Sequence, residues 1–305
     1  MSTRDLLDPQ LAATVASIEV SLDAEGLARL RRSRVAPSTS DRVARHDHVV
    51  PGDVEVPVRV HRPIDVEGPL PALFWIHGGG YVVGTHLNDD PMFEDLCPRL
   101  GIVGVTVGYR LAPEVAYPGA IEDCYLALRW TVDHATELGV RPDRIGIGGV
   151  SAGGGLAAAL ALMARERGGP GVAFQLLDSP MLDDRQITPS SQQDDMPMWS
   201  RESNRFGWQS YLGARYGDDD VPVTAAPARA TDLTGLPPTF VSVGGLDGFV
   251  DEDVDYAMRL NRTGVPTELH VYPGACHGYR AAPKADVTRQ SQRDRDDWLR
   301  RQLSD

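Results

Sequence analysis

Cysteine is scarce in this chain. Three occur in 305 residues, at 97, 124 and 276, and none is in CxxC spacing. A complete disulfide framework is therefore excluded, and a reducing cytoplasm is the expected compartment. Lysine is scarcer still: Lys284 is the only one, and arginine carries the rest of the positive charge. That charge is outweighed, with 30 basic against 43 acidic residues and a net charge of −13. Such a surface repels phosphate backbones and anionic membranes, which argues against a nucleic-acid partner. Long apolar runs are also missing. The most apolar stretch, residues 152–164, covers 13 residues and includes three glycines, short of the ~20 that span a bilayer. The opening MSTRDLLDPQ holds two acids and no apolar centre, so no signal peptide is expected. No repeat and no low-complexity segment appears.

What remains is ordinary globular composition, with 42% hydrophobic and 24% charged residues. A chain of this length makes one large α/β domain or two smaller ones. Residues 9–36 read as helical, with Leu11, Val15, Ile18, Leu22, Leu27 and Leu30 near a 3.6 period, until Pro37-Ser-Thr-Ser breaks the pattern. Residues 46–62 alternate as strands around a turn at Pro51-Gly52-Asp53, with Val54, Val56, Val58 and Val60 on one face. Short apolar runs then follow at 72–76, 102–107, 144–150, 172–177, 239–243 and 268–271. Continuous apolar strands belong in a parallel sheet covered on both faces. Helices are expected between them, at about 91–100, 119–138, 152–167, 250–263 and 286–303. Ligand sites in such sheets form beyond the carboxyl ends of the strands. Residues 184–216 break the alternation and hold Met196, Met198, Trp199, Phe206, Trp208, Tyr211 and Tyr216. They read as a helical insertion covering that end, together with the N-terminal helices.

Four motifs carry chemistry. Gly149-Val150-Ser151-Ala152-Gly153 fits G-x-S-x-G with a strand before it and a small-residue helix after, the context of a nucleophile elbow. A serine hydroxyl needs an adjacent base. With the order Ser, acid, His, only His270 and His277 qualify. His270 lies inside a strand pattern, whereas His277 follows it in a loop, so His277 is the expected base. Asp247, in Gly244-Gly-Leu-Asp-Gly at a strand's carboxyl end, is the expected carboxylate. Asp251, Glu252, Asp253 and Asp255 read instead as the acidic first turns of the next helix. His77-Gly78-Gly79-Gly80-Tyr81 follows another strand, and its Gly79 and Gly80 amides, with that of Ala152, are the expected oxyanion donors. No Lys-Ser/Thr follows these glycines, so a phosphate loop is not indicated. His77 reads as a structural hydrogen-bonding residue and Cys276 as a structural thiol. His46 and His48 have no ligand cluster around them, and no metal or cofactor is expected. His86, Asp89 and Asp90 read as loop residues near the substrate mouth or in solvent. Tyr81, Met196, Trp199 and Phe206 are pocket candidates.

Together these motifs resemble the hormone-sensitive-lipase-like family of α/β-hydrolases, the bacterial family IV esterases. The resemblance is carried by HGGGY at 77–81, YRLAPE at 109–114, Tyr117-Pro118, Glu122-Asp123-Cys124, GVSAGGG at 149–155, GGLD at 244–247 and HGY at 277–279. It spans roughly residues 45–300 in order and spacing. It implies an α/β-hydrolase fold with a mostly parallel eight-stranded sheet flanked by helices. Residues 1–45 would form an N-terminal helical cap segment, and 46–305 a catalytic domain with a cap insertion at about 184–216. It implies Ser151, Asp247 and His277 as triad, Gly79, Gly80 and Ala152 as oxyanion donors, short to medium acyl esters as small-molecule substrates, no cofactor, and a homodimer through the last strand at about 267–272. One departure is plain: the family usually has an acid before the serine, and here that residue is Val150. An amidase or lactonase with the same triad is the alternative reading. A non-catalytic binding module on this fold would have lost the histidine.

Overall fold

The structure is a computed structural model, described here for residues 3–18, 22, 24–32 and 40–304. Eight strands form one sheet: β1 (Val43–Val50), β2 (Val56–Pro63), β3 (Leu70–Ile76), β4 (Val103–Val107), β5 (Val140–Val150), β6 (Gln175–Asp178), β7 (Thr239–Leu246) and β8 (Thr267–Cys276). Their spatial order is β1-β2-β4-β3-β5-β6-β7-β8. β1 and β2 form a hairpin, β2 lies antiparallel to β4, and every later pairing is parallel. The expected mostly parallel, eight-stranded sheet is thus present. The apolar runs explain why: all of β4 and β6 is buried, as only strands covered on both faces can be.

The covering helices are α1 (Ala12–Ser17), α2 (Ala24–Arg31), α3 (Asp90–Leu100), α4 (Gly119–Asp133), α5 (Ala135–Leu138), α6 (Ala152–Glu166), α7 (Arg201–Leu212), α8 (Val250–Arg262) and α9 (Asp286–Leu303). The larger apolar core joins one face of the sheet to α4, α6 and α8. A second joins Leu73, Trp75, Phe174 and Phe240 to Phe93 of α3 and Trp298 of α9. Helix α6 is buried along almost its whole length, which its glycines and alanines permit.

Three expectations are corrected. The helix read over 9–36 is two helices in the described residues, because Ile18 leaves the helical region with ψ 88°. The break expected at Pro37 lies outside the described residues. Val54 does not share the buried face of β2; it sits in the turn before the strand and is exposed. The helix expected over 119–138 is divided at His134, whose amide still bonds back to Trp130.

Candidate active site

The carboxyl ends of β5, β7 and β8 lie at the same end of the sheet, with β6 between β5 and β7, and each delivers one residue. β5 runs into Ser151, which turns sharply with φ 57° and ψ −122° before α6 begins at Ala152. A non-glycine residue there is strained by about 1–3 kcal/mol. The neighbours make the turn feasible by having no side chains. A Cβ on Gly149 would lie 2.2 Å from the Gly153 carbonyl oxygen, and one on Gly153 would lie 2.0 Å from that of Ile76. The turn lifts the Ser151 hydroxyl off the sheet end and aims the α6 amino terminus at the same space.

The Ser151 hydroxyl donates to His277 Nε2 at 3.0 Å. His277 Nδ1 donates to Asp247 Oδ2 at 2.7 Å. Asp247 is locked in turn, because its Oδ1 accepts the Phe249 amide at 3.1 Å. Serine, histidine and aspartate are separated by 126 and 30 positions in the chain. All three are buried, with Asp247 at 1% exposure and His277 at 9%. Phe249 meets the imidazole edge-on at 5.0 Å, and Trp199 tilts over it at 6.0 Å. Burial alone pulls His277 toward its neutral form. The charge and hydrogen bond of Asp247 outweigh burial and hold the pKa above the ordinary histidine value.

The loop after β3 lies against this group. Gly79 and Gly80 take φ 117° and 58°, values that turn the backbone as side-chain-bearing residues rarely do. A Cβ on Gly80 would lie 2.4 Å from the Trp199 ring, so this glycine also admits the tryptophan. His77 is buried, stacked on Tyr109 at 4.2 Å, with Nδ1 at 2.7 Å from the Gly78 oxygen. Burial pushes its pKa down to about 4, which keeps it neutral. Its position is that of a strut of the glycine loop.

A model of the α/β-hydrolase fold family matches residues 73–281. The chain belongs to the hormone-sensitive-lipase-like family of α/β-hydrolases. A Mycobacterium tuberculosis relative, carboxylesterase NlhH, is 35% identical over 283 residues, covering 90% of this chain and 88% of that protein. Ethyl acetate hydrolase from Pseudomonas putida is 32% identical over 227 residues, 73% of this chain and 71% of that one. Among solved structures, a bacterial heroin esterase superimposes over the whole of both chains, with TM-score 0.93 and 42% identity.

Other residues singled out in the sequence fall elsewhere in this hydrolase. His270 sits on β8, with Nε2 at 2.9 Å from Glu268, and faces α9. Cys276 is buried and its thiol is pushed up to about 12, so it is inert at neutral pH. Asp251 and Asp255 lie in α8 as read, bonded to Ser190 and Arg259. Glu252 and Asp253 also lie in the first turn of α8; both are buried, and Glu252 accepts the amides of Leu182 and Asp183. Asp90 is not at a substrate mouth; it is buried against His61 and Arg59 behind β2. Among the described residues no group of three metal-ligating side chains occurs. No helix there is long and apolar enough to cross a membrane.

The pocket candidates separate. Trp199 and Met196 are buried, and Trp199 stands over Gly80 and His277. Phe206 is half-buried against the large core. Tyr81 is turned inward: it stacks on Tyr211 at 4.0 Å and donates to the Met181 oxygen at 3.3 Å. Met198, with φ 68°, brings its Cε within 3.2 Å of a Cβ built on Gly278, beside His277. Phe249 and Met198 carried no motif, because a hydrophobic residue in a loop has no local signature of what it faces.

Proposed function

We propose that this chain hydrolyses short- to medium-chain carboxylic esters through an acyl-enzyme on Ser151. The observation that carries the proposal is the unbroken hydrogen-bonded series from Ser151 through His277 to Asp247. In the first step Ser151 Oγ attacks the ester carbonyl carbon, and His277 Nε2 takes the hydroxyl proton. Asp247 stabilises the imidazolium and holds its Nδ1 tautomer. The Gly79, Gly80 and Ala152 amides donate to the developing oxyanion, each contributing about 10²–10³ in rate. His277 then returns the proton to the departing alcohol. Water, deprotonated by the same nitrogen, releases the acid and restores Ser151.

The Trp199 ring, pressed on Gly80 and facing His277, supports a small acyl group. A relative named for ethyl acetate agrees with that choice. The described N-terminal residues up to 32, together with residues 184–216, act as the cap, with α2 and α7 as its helices. Arg31 of α2 supports this role by donating to the Val82 and Ala112 carbonyls and pairing with Glu114, which fastens the N-terminal segment beside the glycine loop. The enzyme works in the cytoplasm, where three buried, unpaired thiols persist. It pairs as a homodimer through β8, which ends the sheet.

Hydrolysis of p-nitrophenyl esters of two to sixteen acyl carbons tests the reading, with Ser151→Ala alongside. The expected result is a maximum at short or medium chains, with turnover in the variant down by about 10⁶-fold. Substantial turnover by a folded Ser151→Ala protein would overturn it.

A further inference from the structure

Beneath the nucleophile elbow, one residue touches both halves of the site. Asp178 ends β6 and is paired in register with Val150, the residue before Ser151. Register partners in parallel strands project to the same face of a sheet. On that face Val150 packs into the apolar core of Trp75, Phe93 and Trp298, so residue 150 brings no charge under the elbow. Asp178 does. Its carbonyl accepts the Ser151 amide at 2.8 Å. Its Oδ1 accepts the Ser242 hydroxyl at 3.1 Å, and its Oδ2 is ion-paired with Arg280. Arg280 lies in the short turn Tyr279–Ala281, three residues beyond His277. The carboxylate is almost fully buried, at 1% exposure.

We infer that Asp178 and Arg280 form a positioning pair that ties the serine elbow to the histidine loop and sets the Ser151–His277 hydrogen bond. The inference rests on the hydrolase reading above. The physical argument is one of reach. Ser151 and His277 belong to elements far apart in the chain, and a displacement of about 1 Å at such a contact costs about 10²-fold in rate. Strand β6 already holds Ser151 by its backbone. Through Arg280 the same residue holds the loop carrying His277. Burial drives the Asp178 carboxyl toward protonation, and Arg280 with Ser242 opposes this. Arg295 and Asp296 of α9 stand near the pair but bond to each other at 2.9 Å. The charges bearing on His277 are Asp247 first and Asp178 second.

The test uses the full chain with p-nitrophenyl butyrate. Variants are Asp178→Asn, Arg280→Met, Arg280→Lys and the double Asp178→Asn/Arg280→Met, each checked by circular dichroism and thermal melting. The double variant removes both charges of the pair together, so Asp178 is not left buried without its partner. Either folded single variant should lose kcat by about 10–100-fold with KM within about twofold of the parent. The double variant should be no slower than the singles, since one interaction is removed. Asp178→Asn should also move the acidic limb of the pH profile to lower pH, because one negative charge near His277 is gone. Arg280→Lys should keep most of kcat. A folded double variant with parental kcat and pH profile would overturn the inference, as would Arg280→Lys as slow as Arg280→Met. Ser151→Ala, measured in parallel, separates that outcome from failure of the hydrolase reading itself.

Discussion

His277 is most of the pH behaviour expected of this enzyme. In the proposed mechanism it must be neutral at Nε2 to take the serine proton, so activity should be lost as pH falls through its pKa. Asp247 raises that pKa above the ordinary ~6.5 despite burial. The acidic limb of kcat/KM should therefore have its midpoint above ~6.5, and Asp247→Asn should move it down while lowering kcat by about 10⁴. A pH–rate profile of both proteins with a soluble acetate ester measures this. His77, the other buried histidine near the site, contributes nothing to that limb, because burial already holds it neutral down to about 4.

In the proposed cap, helix α7 and the irregular stretch before it set what fits. Ser200 caps α7 by accepting the Ser203 amide at 3.1 Å, and this fixes where the preceding residue points. That residue is Trp199, seated on Gly80, where no Cβ could be accommodated. From the other end of the helix, Tyr211 stacks on Tyr81 and its carbonyl accepts the Tyr117 amide at 2.7 Å. The segment is thus pinned to the glycine loop at two points. Trp199→Ala removes the wall and with it one pin, while the Tyr211–Tyr81 stack at the other end of the helix stays in place. The acyl-chain optimum should move to longer esters by about two to four carbons, at ~0.8 kcal/mol of binding for each CH₂ newly buried. The ester series measured on both proteins shows the move; an unchanged optimum places the acyl pocket elsewhere.

At the scale of the molecule, β8 ends the sheet and leaves an edge that another chain can extend. Near its end the Asp8 amide donates to the Gly274 carbonyl. Val271 is exposed at 41% in the middle of this strand. Sedimentation should find the protein as a dimer and Val271→Asp as a monomer, with the elbow geometry and kcat little changed. A monomeric parent at micromolar concentration ends the dimer proposal.

The sheet and the nucleophile elbow were legible in the chain because their requirements are local. A strand buried on both faces must be apolar throughout, and a turn like that at Ser151 demands small neighbours at fixed offsets. Asp247 was legible for a similar reason, since a loop directly after a strand must lie at that strand's carboxyl end. The N-terminal region was legible only in part: the helical period crosses Ile18, and local pattern does not reveal where a helix yields to tertiary contacts.

By itself, then, the amino-acid sequence determined the fold class and that Ser151, Asp247 and His277 each follow directly on a strand. Tertiary structure decided the rest. It placed Trp199 over Gly80, turned Tyr81 inward, buried Glu252 and Asp253 in the first turn of α8, and joined Asp178 to Arg280. The physical reason is that backbone conformation answers to neighbours in the chain. Side-chain partnership answers to neighbours in space, and here those are set by the lateral order β5-β6-β7-β8.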